Sequence, residues 1–148
     1  MKRWIKVVLG VVGVFAAIQL VSCERTNPTV TGDIVVAADV KSVLRRSCYD
    51  CHSNETEWTW YSRVAPASWL VHRDVSVGRA ALNFSEWESL PPERRAKLQK
   101  ESAEEVAEGE MPPSFYTPLH PHAKLSLDDK VLLRTWGQGE GGAGRAGR

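Results

Sequence analysis

Five consecutive residues, Cys48-Tyr49-Asp50-Cys51-His52, restrict this chain more than anything else in it. Two cysteines three positions apart lie on one edge of a single helical turn, with an imidazole directly after them. That arrangement suits covalent haem attachment of the c type: two thiols add to the two vinyl groups, and the next side chain meets the iron from one face as proximal ligand. Cys48, Cys51 and His52 are therefore the candidate cofactor-binding residues, and one covalent haem c is the expected cofactor. Two other chemistries use such a pair. Structural zinc wants two further ligands at a similar spacing, and there is no second cysteine pair. A thioredoxin-like redox pair wants a βαβ setting, which the sequence lacks, and has no use for His52.

A sixth iron ligand is sought next. Met111, in Glu110-Met111-Pro112-Pro113, follows an expected helix stop at Gly109, where a loop stiffened by prolines can carry a thioether to the distal face. A methionine filling a gap in the core is the ordinary alternative. His72, His120 and His122 are the rivals, with His120 the alternative distal ligand. His120 and His122 flank Pro121, and either can instead cap a helix end or donate to a haem propionate. Two histidines would give a lower potential than histidine with methionine.

The amino-terminal end departs from the rest. Lys2, Arg3 and Lys6 precede an apolar run from Val7 to Val21 in which Gln19 alone is strongly polar, a pattern that directs a segment to export. The run is about fifteen residues, at the upper limit for a signal core and short of the roughly 20 of a comfortable span. Leu20-Val21-Ser22-Cys23 resembles the bacterial lipobox, so Cys23 is a lipidation candidate. The other reading is an incidental cysteine at the outer end of an uncleaved helix. Either way, residues 1–22 act as a signal or membrane anchor, and the remainder is expected on the periplasmic side of a bacterial membrane.

Residues 23–36, polar and carrying Pro28 and Gly32, read as a linker that lifts a domain from the membrane surface. The domain is expected over 37–137, followed by a disordered Gly-rich tail over 138–148. Val40, Val43, Leu44 and Ser47 form the stripe of a helix running from about Ala37 into the cysteine motif. Pro66 permits a second helix whose face is Trp69, Leu70, Arg73 and Val77 and which Gly78 ends. Pro91-Pro92 opens a charged, exposed helix over Glu93 to Glu108, with Leu98 and Val106 as its few large apolar residues. Ser126 caps a last helix carrying Val131, Leu132, Leu133 and Trp136 and stopped by Gly137. No strand alternation separates these segments, so the fold class is all-α with long irregular connections. Trp58, Trp60, Tyr61 and Trp69 are either ordinary core or the wall of a flat apolar cofactor. A formal charge of +1 with a pI near 7.8 leaves no basic face for nucleic acid.

From Ser42 to Trp136 the chain resembles the bacterial family of small haem-binding-domain proteins related to cytochrome c. The resemblance is carried by Cys48 through Thr56, by Trp60-Tyr61-Ser62 and Ala65-Pro66-Ala67-Ser68-Trp69, by Leu82 through Trp87, and by Gly109-Glu110-Met111-Pro112. It implies an α-helical cytochrome c-like fold, a single covalent haem, an N-terminal hydrophobic anchor and the methionine of the Met-Pro step as distal ligand. Cys23 departs from the family's usual pattern. The resemblance names no redox partner. The function expected is single-electron transfer at the membrane surface, with no catalytic residue. The competing expectation is a haem peroxidase or a gas or redox sensor with an exchangeable distal ligand, where His120 or Glu110 would supply acid-base chemistry. A haem that serves only to fold a small domain is a third.

Overall fold

The computed structural model describes residues 2–139. Its helices are α1 (Lys2–Ile18), α2 (Ala38–Ser47), the single turn α3 (Tyr49–His52), α4 (Ala67–Ala81), α5 (Pro92–Glu108) and α6 (Leu127–Gly137). Three 3-10 turns join them, at Trp60–Arg63, Phe84–Ser89 and Pro121–Ala123, and no strand occurs among the described residues. The all-α class expected from the sequence is what is found. Residues 140–148 of the expected tail lie outside the described residues.

The best-formed elements begin and end on the expected residues. Pro92 sits in the first turn of α5, where its missing N–H costs nothing, and Gly109 closes that helix at φ +85°. At α6 the Ser126 side chain accepts from the Asp129 amide while the Asp129 carboxylate accepts from the Ser126 amide, which satisfies two orphan donors at once. α5 and α6 pack so closely that a Cβ on Gly137 would collide with that of Ala103. The core gathers around an aromatic row. Tyr49 stacks on Phe84 at 5.4 Å, and Trp87 lies 6.3 Å from Trp136. Val40, Leu44 and Leu133 fill the space beside it.

Three expectations change. Trp58, Trp60, Tyr61 and Trp69 are not core: Trp60 is 76% exposed and the others are half-buried, while Phe84, Trp87 and Trp136 do the packing. In α4 the buried face is Ser68, Val75 and Gly78 rather than the Leu70–Arg73–Val77 stripe, and Gly78 does not end the helix, which runs on to Ala81. The helix before the motif stops at Ser47, and Cys48, at φ −126°, starts a separate turn.

The stretch 23–36 is hydrogen-bonded along the domain as a strap. Asn54 Nδ2 donates to Thr29 O, Arg79 Nη1 to Thr26 O, and the Gly32 and Ile34 amides to Ser85 O and Phe84 O. The main-chain groups of a stretch that reads as linker in sequence are thus paired with side chains and carbonyls of the domain. Asp33 fastens the strap's end to the motif: Tyr49 donates to Asp33 Oδ1 at 2.6 Å and Lys41 to Oδ2 at 2.5 Å. Burial works to raise the Asp33 pKa, but these two hydrogen bonds together with the positive charges of Lys41 and Arg45 outweigh it and hold the carboxyl below its usual range.

α1 stands apart, its apolar side chains exposed along almost its whole length. At 17 residues it is about 25 Å long. No helix among the described residues is long and apolar enough to cross a membrane.

One charged contact locks α2 to α6, Arg46 Nη2 to Asp129 Oδ1 at 2.5 Å. The hydrogen bond from Arg46 and those from Ser126 hold the Asp129 carboxyl at about 2, against its partial burial. A depressed carboxylate stabilises the fold fully above its unfolded pKa and loses that contribution as pH falls through the folded value. We therefore expect Asp129→Ala to cost roughly 1 kcal/mol at pH 7 for a partly solvated pair and a lost cap. The difference from the parent should shrink between about pH 4 and pH 2 in urea melts. An equal cost at pH 2 and pH 7 would refute the electrostatic part.

Candidate functional site

The site begins with the break at Cys48. Its amide still donates to Leu44 O at 2.9 Å, so the residue hangs on the end of α2, and its carbonyl then accepts from the Cys51 and His52 amides to wind α3. One turn thus presents Cys48, Cys51 and His52 to a common cavity. α4 crosses this turn directly: a Cβ on Gly78 would lie 2.5 Å from the carbonyl oxygen of Cys51.

That crossing orients the imidazole. His52 Nδ1 lies 3.0 Å from Gly78 O and 3.1 Å from Leu82 O. Both partners are carbonyls and can only accept, so Nδ1 carries the hydrogen and donates. Nε2 is left as the lone-pair nitrogen, and it has no hydrogen-bond partner among the described residues. This is the arrangement by which a histidine is held for a metal, its tautomer set by the bond made behind it. Burial lowers the His52 pKa, with the two carbonyls opposing, so the neutral ligating form is favoured.

Burial, with a smaller contribution from neighbouring negative charge, pushes Cys48 up to about 12 and Cys51 up to about 11. Neither is the low-pKa, electropositive thiolate of a disulfide-exchange site. No cluster of three or more metal-ligating side chains occurs among the described residues.

The cavity is about 520 Å³, within the range of small-molecule and cofactor sites. Its walls are apolar, with Leu44, Phe84, Leu98, Leu133 and Trp136 among them. Met111 lies on the same cavity and is 36% exposed, so the loop after Gly109 does bring a thioether to the space that His52 faces. Paired thiols, an imidazole with a free nitrogen, a thioether and apolar walls are the donor set and lining that a haem requires, and the residues fit it.

Residues 13–139 match the haem-binding domain family, which is most of the chain. The chain belongs to that family. No curated protein and no solved structure matches it. Haem binding by this haem-binding domain is thus established by family and is consistent with the geometry.

The remaining sequence candidates sit elsewhere in the haem-binding domain. His120, 7% exposed, is not on the cavity: Tyr61 OH and its Nε2 are 2.8 Å apart, and its ring stacks on Tyr116 at 3.9 Å. His72 donates from Nδ1 to Glu24 O in the strap, and His122 packs edge-on to His120. Cys23 is half-buried, and its carbonyl accepts from Arg25. Glu110 follows the glycine stop on the surface.

Two contributors to the site were not expected there from the sequence. Tyr116 lines the cavity and donates to Asp50 Oδ2 at 2.5 Å, so the loop carrying Met111 is tied back to the haem motif itself. Burial, together with that bond, pushes the Tyr116 hydroxyl well above the usual phenol range and keeps it a donor. Gly78 is the other. An isolated glycine inside a helical pattern was the available signal, since such residues usually mark a close approach when they do not mark a helix end.

Proposed function

We propose that this haem-binding domain is a c-type electron carrier anchored at the periplasmic face of a bacterial membrane. Cys48 and Cys51 would hold one haem covalently, and His52 and Met111 would ligate its iron. The observation that carries the reading is the His52 ring, held through Nδ1 by two carbonyls on the wall of a cavity that it shares with both thiols and Met111.

The haem supplies a one-electron couple. The chain's part is to keep ligand geometry constant while charge changes. α4 fixes the imidazole, the Tyr116–Asp50 bond fixes the distal loop, and the apolar walls exclude water, which tunes potential. α1, with Lys2, Arg3 and Lys6 at its start and unpartnered apolar side chains after them, seats in the bilayer. A helix somewhat shorter than the hydrocarbon core is accommodated by local thinning. A lipid on Cys23 would anchor the chain at the same place.

The test is the absorption spectrum of the haem-loaded chain and of Met111→Ala, each with and without carbon monoxide. The parent should be low-spin, show the ferric sulfur-to-iron band and ignore carbon monoxide. Met111→Ala should lose the band, bind carbon monoxide and fall in potential. A parent that is high-spin and takes up carbon monoxide would replace electron transfer by gas sensing or peroxide chemistry.

A further inference from the structure

His120, which the haem cavity leaves unused, is built into a row of aromatic rings. Its ring stacks on Tyr116 with centroids 3.9 Å apart, and Tyr116 lines the cavity. Tyr61 stands edge-on to His120 at 6.0 Å, and Trp60 stands edge-on to Tyr61 at 5.7 Å. His120 is 7% exposed and Trp60 76%, so the row starts on the cavity wall, passes a buried imidazole and ends in solvent. Neither Tyr61 nor Trp60 lines the cavity. The other aromatic row, from Tyr49 through Phe84 and Trp87 to Trp136, is buried throughout.

The hydrogen bonds along this row give each phenol a base. A phenol inside a protein gives up an electron readily only where its proton can leave with it, because the cation left behind would be an uncompensated buried charge. His120 Nδ1 lies 3.2 Å from Tyr116 O, a carbonyl that can only accept, so Nδ1 carries the hydrogen and Nε2 accepts from Tyr61 OH at 2.8 Å. Tyr116 OH donates to the Asp50 carboxylate at 2.5 Å. The indole of Trp60 has water for its proton. Oxidisable rings, each with a place to send a proton, thus continue from the cavity to the surface.

We infer that Tyr116, Tyr61 and Trp60, bridged by the His120 ring, form a relay that carries oxidising equivalents from the haem cavity to the surface when hydrogen peroxide reaches the haem. Tyr116 gives an electron into the cavity and its proton to Asp50. Tyr61 refills Tyr116 through the His120 ring and passes its own proton to His120 Nε2. Trp60 then refills Tyr61, and each phenol takes its proton back. Two such passes supply the electrons that break the peroxide O–O bond, which with two protons gives two waters. The Trp60 ring, two electrons poorer, takes up one water and releases two protons. Peroxide and Trp60 thus become one water and a hydroxylated indole. Without the relay, the peroxide would be spent on Met111, whose thioether oxidises to a polar sulfoxide. The inference rests on a haem seated in this cavity and not on Met111 as its ligand.

The experiment adds stoichiometric hydrogen peroxide to the full haem-loaded chain carrying Met111→Ala, which opens the iron to peroxide. Samples are frozen for electron paramagnetic resonance, and oxygen addition at Trp60 is mapped by peptide mass spectrometry. Expected are a radical signal that narrows when the chain is made with ring-deuterated tyrosine, and one added oxygen on Trp60. Adding Tyr61→Phe keeps the ring and the exposure of Trp60 but removes the proton donor, so oxygen addition at Trp60 should fall by about ten-fold with the haem spectrum unchanged. Should Tyr61→Phe fail to fold, Trp60→Phe at its exposed position serves instead and should prolong the tyrosyl radical. Equal oxidation of Trp60 with and without the Tyr61 hydroxyl would mean direct attack from solution and would overturn the relay, as would a radical whose decay ignores Trp60→Phe, or no radical at all. Carbon monoxide uptake by Met111→Ala, scored separately, tells failure of the ligand assignment from failure of the relay.

Discussion

Replacing Cys48 and Cys51 together by alanine should yield a protein from which acidified acetone extracts all of the haem, whereas the parent should retain it through denaturing electrophoresis. The expected change is from complete to no covalent haem, because each thioether needs a sulfur and no other cysteine lines the cavity; Cys23 lies in the strap. The double variant should still bind some haem from solution, since His52 keeps its two carbonyl partners and the apolar walls are unchanged. That residual binding separates the attachment from the cavity. His52→Ala gives the complementary result, with attachment possible but the ligand lost. If the parent itself gave up its haem to acidified acetone, the c-type assignment would fail even though the family's haem binding stood.

Much of the fold was legible because local signals agreed with tertiary ones. At α5 and α6, a proline in the first turn, a glycine just past the end and a serine with aspartate three residues on are each satisfied by backbone geometry alone, and the helices start and stop there. The motif was legible for the same reason, since its chemistry needs only one turn of chain. What depended on distant partners was not. The strap over 23–36 looked like linker because its bonds to Asn54 and Arg79 reach residues twenty-five and fifty-three positions away. The aromatic cluster at 58–69 read as core or as cofactor wall and is neither, since none of its rings is buried or lines the cavity; the buried rings come from Phe84, Trp87 and Trp136, in a 3-10 turn with no periodicity to announce it and at the end of α6. Met111 could be placed on the cavity from its loop setting, while Tyr116, which ties that loop to Asp50, carried no pattern at all.

Gly78 gives the sharpest opposition between two readings of one residue. By helix propensity alone, Gly78→Ala in the last turns of α4 should stabilise the chain by about 1 kcal/mol. The structure reverses the sign. The new methyl would meet the carbonyl oxygen of Cys51 at 2.5 Å, and that oxygen is backbone, so α3 and α4 must separate. Overpacking of this kind costs roughly 1–3 kcal/mol even after relaxation, which outweighs the propensity gain. Separation would also lengthen the bonds from His52 Nδ1 to Gly78 O and Leu82 O, so the loss should be visible at the iron as well as in the fold. Expected for Gly78→Ala is a melting temperature several degrees lower with a weakened low-spin spectrum, and for Gly78→Val a chain that accumulates little haem. Gly13→Ala, in α1 with open space around it, should leave the spectrum unchanged without lowering the melting temperature and serves as the control. A Gly78→Ala protein more stable than the parent, with an unchanged spectrum, would mean that α4 does not press on the motif and that His52 is oriented by something else.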